Sequence, residues 1–565
     1  MPPVIAIGIL ESQYIHSSLA PWCLAAGLRC HAPQLDCAVE ESTVNCPPEQ
    51  LADALLRHSP AVVGLSCYIW NIRETEQVAA LLRAARPQLP ILFGGPEVSW
   101  CAKEVFARCA SVDYILCGEG EEPFARLAAL LTGDAPPAEA QLTAIPGVAT
   151  RLHPNAAAHT STGDWPSPYS PAYFAALRGR IAYLETSRGC PFRCAFCLSG
   201  RCGSVRFLPQ ERAEREILQL ANSGTQTVKF IDRTFNCNTA RAMRLWRFII
   251  DHYGIDIPAG VRFHFEIGGD LLDKESLALL ATAPKGSMQF EIGLQSFHTP
   301  TLQAIRRTSD LEKLCANIRA LLAPGNVHVH IDLIAGLPLE DYTTFADSFN
   351  TAYALGAHQL QLGFLKLLHG AALRDTADAD GCAYDPLPPY QVTSTPQLSA
   401  AELTRLQGIE DAVERLANSG RFAGTLAYLL AVTSLMPFTL FERIGDALTD
   451  TDPASMSLDD YTAQVQQIML SLPGVDADAL RDVLVCDRLA SNRTGRLPPC
   501  LQRTDPDGLK AAAKALPPRQ PGVRRGLALL YGSSRIVWAD YSDSARDPIT
   551  GHWPLHFLPI PAAEK

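Results

Sequence analysis

The 565-residue sequence has no stretch of about 18 or more apolar residues, so a membrane-spanning helix is not expected. The most suspect run, Ala427 to Met436, is too short and reads as buried helix. Positive charge is scarce: 48 Lys and Arg against 59 Asp and Glu leave a net charge of −11. With a sequence pI of about 5.7, this argues against a nucleic-acid partner held by a basic surface. The opening MPPVIAIGILESQYIHSSL lacks a cationic leader, and its apolar run is short for a signal peptide. No short-period repeat is present.

What remains is ordinary for a globular chain. Hydrophobic residues make up 47% and charged residues 19%, and the length allows two or three domains. Seventeen cysteines is a high count, but without a leader a disulfide framework is not the default reading. The scattered Cys23, Cys30, Cys37, Cys67, Cys109 and Cys315 read as small buried hydrophobes.

Along the first 130 or so residues, strands and helices alternate. VIAIGIL, AVVGLSCYIW, PILFGG and VDYILCGEG read as strands. SLAPWCLAAGL, RETEQVAALLRAA and EEPFARLAALL read as helices. Short apolar strands between amphipathic helices predict a Rossmann-like, doubly wound α/β domain over 1–135. Gly94, Gly95, Gly118 and Gly120 fall at the strand ends, the edge where such sheets bind ligands. Residues 136–180, rich in Ala, Pro, Ser and Thr, read as a linker. Over 181–390 six strands are expected: IAYLETS, TVKFIDRTF, VRFHFEI, MQFEIGLQS, VHVHIDLIAGLP and QLQLGFLKLL. With helices between them they predict a partial (β/α)6 barrel with its chemistry at the C-terminal strand ends. Residues 391–565 form a mainly helical region with a β-like tail.

One cysteine cluster stands apart. SRGCPFRCAFC sets Cys190, Cys194 and Cys197 in a C-x3-C-x2-C pattern directly after the first barrel strand. Thiolates are the soft ligands an iron–sulfur cluster needs. Three ligands on a four-iron cluster leave one iron open to an exogenous chelator. A structural zinc site is the alternative. It wants four ligands, and Cys202 or His264 could supply the fourth.

The motif, with Phe196 before its last cysteine, resembles the radical S-adenosylmethionine (SAM) superfamily. The resemblance covers roughly 181–375. It implies a [4Fe–4S] cluster whose open iron chelates SAM, and reductive cleavage of SAM to a 5′-deoxyadenosyl radical. It also implies site residues. Asp232 and Arg233 in FIDRTFN are candidate contacts to the methionine amine; a buried ion pair between them is the other reading. Glu266, Glu291, Gln295 and Ser296 match the ribose and carboxylate region. Asp332 in IDLIAGLP is either a polar contact near adenine or a capped strand end.

Before such a core, the N-terminal domain resembles a cobalamin-binding domain, on YIHSSLA, GLSCYIWN, FGGPEVS and CGEGEEPF. Ser66 and the pair Gly94–Gly95 stand where that family contacts the nucleotide tail; a vestigial or docking domain is the alternative. The Asp-x-His-x-x-Gly motif that supplies a lower axial histidine is missing. His16 lies in the corresponding loop and reads as a capping or core residue. The C-terminal region resembles an uncharacterised domain of one branch of these proteins, and is expected to close over the barrel mouth.

The expectation is therefore a cobalamin-dependent radical SAM enzyme that methylates an unactivated carbon or phosphorus. A radical oxidative cyclase or ring-rearranging enzyme, a non-catalytic cobalamin or SAM sensor, and a zinc-stapled binding protein are the rivals. The expected partners are a small-molecule substrate and an electron donor such as flavodoxin or ferredoxin, with neither nucleic acid nor membrane. An oxygen-sensitive cluster fits a reducing cytoplasm.

Overall fold

A computed structural model describes residues 2–560 except Cys202, Asp450 and Thr504; the zinc alternative that invokes Cys202 lies outside these residues. The chain divides into two compact units. One comprises Met1–Gly268, Ile305–Arg307 and Lys366–Val392; the other comprises Gly269–Ala304, Thr308–Leu365 and Thr393–Lys565.

The first unit opens with β1 (Val4–Glu11), α1 (Ala20–His31), β2 (Asp36–Thr43), α2 (Pro48–Arg57), β3 (Val62–Ser66), α3 (Ile72–Ala85), β4 (Ile91–Gly94), α4 (Ala102–Arg108), β5 (Tyr114–Leu116), α5 (Glu121–Leu131), α6 (Glu139–Thr143) and β6 (Val148–Thr150). Their sheet runs β2-β1-β3-β4-β5-β6. It is parallel except for β6, which runs antiparallel to β5. Successive side chains point to opposite faces, and each face has its own apolar core. Ile5, Ile7, Val62 and Leu92 pack with Leu28 of α1 and Phe124 of α5. Ala6, Leu10, Val63 and Phe93 pack with Leu55 of α2, Leu82 of α3 and Val105 of α4. Gly27 lets α1 and α5 approach closely, because a Cβ there would lie 2.3 Å from the Glu121 carbonyl oxygen.

Three sequence expectations need correction here. β2 and α2 were not anticipated, because DCAVEEST is a half-buried edge strand without an apolar run. The supposed linker is built into the unit: Leu142, Ile145 and Val148 complete one core, β6 extends the sheet, and α7 (Pro171–Leu177) follows. Cys30 is exposed and Cys37 and Cys315 are only partly buried, whereas Cys23, Cys67 and Cys109 are buried.

The second sheet has the order β14-β13-β12-β11-β10-β7. The first unit holds β7 (Ala182–Leu184), the two-residue β8 (Ser187–Arg188) and β9 (Arg206–Phe207), α8 (Gln210–Ala221), β10 (Thr227–Phe230), α9 (Thr239–His252) and β11 (Arg262–Ile267). β8 and β9 form a separate antiparallel ladder. The second unit holds α10 (Lys274–Leu280), β12 (Met288–Gln295), α11 (Thr299–Ala304), α12 (Leu311–Leu322), β13 (His328–Ala335), α13 (Tyr342–Tyr353) and β14 (Gln359–Phe364). Val228, Phe230, Phe263 and Phe265 are wholly buried in the first unit, as are Phe290, Ile292, Val329 and Ile331 in the second; His264 and His330 break the alternation by being buried as well. In the first unit Tyr183, Lys229 and Glu266 are only partly buried, and in the second so are Glu291 and Asp332.

In the second unit the C-terminal region begins with helix Ala400–Ala412, continued by a π-helical turn over Val413–Asn418. Further helices span Ala423–Thr433, Pro437–Leu448, Leu458–Leu470, Ala477–Ser491 and Pro506–Ala515. An antiparallel sheet of Arg525–Leu530, Arg535–Asp540 and His556–Pro559 follows. Phe438 and Phe441 pack on Phe349 of α13. The helix expected over Ala427–Met436 ends at Thr433, and Met436 is exposed. Among the described residues no single helix is long and apolar enough to cross a membrane.

Candidate functional site

The cluster loop leaves β7 and is held at its root by Asp232, which follows β10. The Asp232 carboxylate is buried and accepts hydrogen bonds from the Thr186 backbone N–H (2.9 Å), the Thr186 hydroxyl (2.7 Å) and the Ser187 hydroxyl. Burial raises its pKa against those bonds. Arg233 beside it is exposed, so the carboxylate is engaged with the loop root rather than in a buried pair with Arg233.

Beyond the root, Cys194 is buried, and Cys190, Phe196 and Cys197 are partly buried. The Cys197 N–H donates to the Cys194 carbonyl at 3.1 Å. The peptide of Ala195 is held from both sides: its N–H donates to Ile305 O at 2.8 Å and its carbonyl accepts from Leu373 N at 2.9 Å. Arg307 Nη1 lies 3.9 Å from Cys194 Sγ, and Cys190 Sγ lies 3.6 Å from Thr234 Oγ1. Burial pushes the Cys194 thiol up, and Arg307 opposes that shift. Among the described residues no three His, Cys, Asp or Glu side chains meet as a metal-ion site would require. A cubane takes each thiolate at a separate iron. The donor set thus fits a [4Fe–4S] cluster: three soft ligands on one loop, with a guanidinium to offset thiolate charge.

At the carboxyl edge of the first sheet, Asn71 ties the ends of β1 and β3, where the strand order reverses. Its Nδ2 donates to Leu10 O (2.9 Å) and Ser66 O (3.1 Å). Ser66 is buried at the end of β3. Gly95 follows β4 at φ +114°, and a Cβ there would lie 2.4 Å from Cys67 O. Gly94 has ordinary room, with Leu116 Cβ at 3.7 Å, so its lack of a side chain leaves backbone open to a ligand. Large exposed hydrophobics follow three strands along this edge: Tyr14 and Ile15 after β1, Trp70 after β3 and Trp100 after β4. Tyr68 and Trp70 stack at 4.4 Å. An apolar rim at a topological switch point suits a large flat ligand. His16 is engaged elsewhere: its Nδ1 is 2.7 Å from the Tyr183 hydroxyl, and its carbonyl accepts from Arg180.

Glu266 lies on β11 of the first unit, partly buried. In the second unit Glu291 and Asp332 share the polar face of β12 and β13. Register pairs Glu291 with His330 and Gly293 with Asp332, and His330 Nε2 is 2.9 Å from Asp332 Oδ1. Gln295 ends β12 at a bulge with φ +72° and is 8% exposed. The buried Ser296 donates to Glu340 Oε1 at 2.6 Å and accepts from the His298 N–H at 2.8 Å. It holds the strand end, which leaves Gln295 as the freer polar group there. Sequence reasoning missed Arg307, Asn71 and Arg188. The last two lay within the segments GLSCYIWN and SRGCPF, where a polar residue beside each motif was the available signal.

Three family matches cover the chain: B12 binding domain over residues 5–128, Radical SAM superfamily over 184–352, and Protein of unknown function (DUF4080) over 379–529. The chain therefore carries a radical SAM domain over 184–352. A B12 binding domain lies ahead of that core and a DUF4080 domain behind it. A radical SAM domain implies a [4Fe–4S] cluster and SAM, and a B12 binding domain implies cobalamin. The cobalamin-dependent radical SAM methyltransferase TokK of Streptomyces tokunonensis is 29% identical over 58% of this chain and 50% of that protein. The 2-(S-pantetheinyl)-carbapenam-3-carboxylate methyltransferase of Streptantibioticus cattleyicolor is 29% identical over 53% of this chain and 46% of that protein. The chain thus spans about half the length of these curated relatives. Among solved structures, the cobalamin-dependent SAM radical enzyme OxsB superposes with TM-score 0.58 at 15% identity, over 86% of this chain and 79% of that one. The radical SAM methyltransferase TsrM of Kitasatospora setae gives 0.55 at 17% identity, over 69% and 80%. At these identities the likeness is one of fold.

Proposed function

We propose that this chain is a cobalamin-dependent radical SAM methyltransferase acting on an unactivated carbon or phosphorus of a small-molecule substrate. The observation that carries the reading is the loop of Cys190, Cys194 and Cys197, set after the first strand of a radical SAM domain in a chain that also has a B12 binding domain. Methyltransferase relatives over the same two domains support it. When bound, the cluster, SAM and cobalamin supply reductive cleavage, a carbon radical and a transferable methyl group.

The chain's own residues hold and orient these groups. Cys190, Cys194 and Cys197 hold the cluster, and Phe196 packs beside it. Asp232 anchors the loop root, and Arg233 is the neighbouring polar contact for SAM. Glu266, Glu291, Gln295 and Asp332 contact SAM, with Ser296 setting the strand end that presents Gln295. Ser66, Gly94 and Gly95 receive the corrinoid tail. We assign 1–135, completed by α6 and β6, to the cobalamin domain, 181–390 to the barrel and 391–565 to the C-terminal domain. An electron donor of the flavodoxin or ferredoxin kind and a cytoplasmic setting fit the low potential and oxygen sensitivity of such a cluster.

The test is anaerobic reconstitution. The wild-type chain is expected to take up about four irons and one corrinoid, and to convert SAM to both S-adenosylhomocysteine and 5′-deoxyadenosine. Replacing all three cysteines with alanine should remove the iron and abolish cleavage. 5′-Deoxyadenosine without S-adenosylhomocysteine would identify a cyclase or ring-rearranging enzyme instead, and an iron-free wild-type protein would end the radical SAM reading.

A further inference from the structure

Arg188 stands two residues before Cys190, on β8, and it is the centre of a partly buried ionic network within the first unit. Its side chain is 11% exposed. Each of its three nitrogens meets a different carboxylate: Nη1 to Glu119 Oε2 at 3.0 Å, Nη2 to Glu121 Oε1 at 2.6 Å, and Nε to Glu185 Oε2 at 2.8 Å. Its guanidinium carbon lies 4.4 Å from the centre of the Trp165 ring. Across the β8–β9 ladder its register partner Arg206 also donates to Glu119 and also lies over Trp165.

The three carboxylates come from two places. Glu185 belongs to the cluster loop itself. Glu119 and Glu121 form the β5–α5 turn, at the ligand edge of the B12 binding domain. The guanidinium is therefore a tether between two functional loops 67 to 69 residues apart in sequence. A surface ion pair would contribute little. Here three directed contacts and a ring face fix one geometry, which a planar fork can hold and an ammonium cannot. Removing it would leave three enclosed carboxylates facing one another.

We propose that Arg188 is a positioning residue: it locks the loop of Cys190, Cys194 and Cys197 against the acidic β5–α5 turn, and so sets the separation between cluster and corrinoid. The cofactor part rests on the reading under Proposed function, whereas the tether itself does not.

The experiment has two arms on the full chain. In the first, hydrogen exchange is measured on cluster-free wild type, Arg188→Lys and Arg188→Gln. Both variants are expected to exchange at least about tenfold faster in residues 186–207 and 118–122, with the strands of both sheets unchanged. Failure of Lys to restore protection marks geometry rather than charge. If Arg188→Gln does not fold, Glu119→Gln, which weakens one arm, should give the same local pattern. In the second arm the reconstituted chains are compared by pulsed electron paramagnetic resonance between reduced cluster and cob(II)alamin. One narrow distance distribution is expected in wild type and a broadened or displaced one in the variants, at equal iron and corrinoid content. Unchanged exchange in both loops, or acceleration spread evenly over the unit, overturns the tether. Unchanged distances in the variants overturn its role toward the cofactors. A wild type that binds no iron sinks the functional reading, and the exchange arm then decides the tether alone.

Discussion

Glu11 ends β1 with only 4% of its surface exposed, and its Oε1 has no hydrogen-bond partner among the described residues. Burial, helped by the neighbouring Glu41 carboxylate and opposed by Arg180, raises its pKa from 4.5 to about 7. The folded chain therefore keeps a proton that the unfolded chain releases near pH 4.5. Between those values the native state binds more protons, so stability falls as pH rises through the window. Glu185, also raised to about 7 by burial, acts in the same direction. Glu11→Gln is expected to flatten the dependence of Tm on pH between about 4.5 and 7. At pH 8 it should stabilise the chain by up to about 3 kcal/mol. Urea unfolding across the pH series checks this; an undiminished slope would show that Glu11 is ionised throughout. At the same scale, the segment FIDRTFN offered Asp232 only as a candidate contact or as half of an ion pair. Only the fold shows that its oxygens are engaged by Thr186 and Ser187.

The strand β14 lies at the edge of its sheet, and its exposed backbone groups need cover. Asn418, at the end of the π-helical turn, supplies it. Its side-chain Oδ1 accepts from Leu360 N and its Nδ2 donates to Leu360 O, both at 2.9 Å. The amide imitates one residue of a neighbouring strand. Asn418→Ala should cost about 1–3 kcal/mol, because it strands two polar groups of a buried residue. A fall in the urea midpoint without a change in slope is the expected signature. Sequence pattern revealed all six strands of the barrel because each alternates apolar and polar residues. It missed β2 because an edge strand carries Glu40 and Glu41 where an apolar run would be sought. It missed β6 and the short helices of 136–180 because elements of three to seven residues have no period to detect.

For the whole chain, ligand binding should be visible as stability. Hydroxocobalamin at a hundredfold its dissociation constant would stabilise the chain by about 2.7 kcal/mol. A rise in the thermal transition is expected in wild type. It should be absent in Gly95→Ala, whose Cβ would collide with Cys67 O just beyond β4. A variant that shifts as wild type does would detach Gly95 from the ligand.

Local sequence by itself determined the alternation of strands and helices, the class of each half, and the three thiols on one loop. Those properties depend on residues a few positions apart, where period and spacing carry the signal. Only the tertiary structure decided that Arg307 reaches Cys194, that Arg188 meets Glu119 and Glu121, and that Asn71 bridges β1 and β3. Such contacts join residues 61 to 113 positions apart. Side-chain directions at that range are set by packing, which no local pattern encodes.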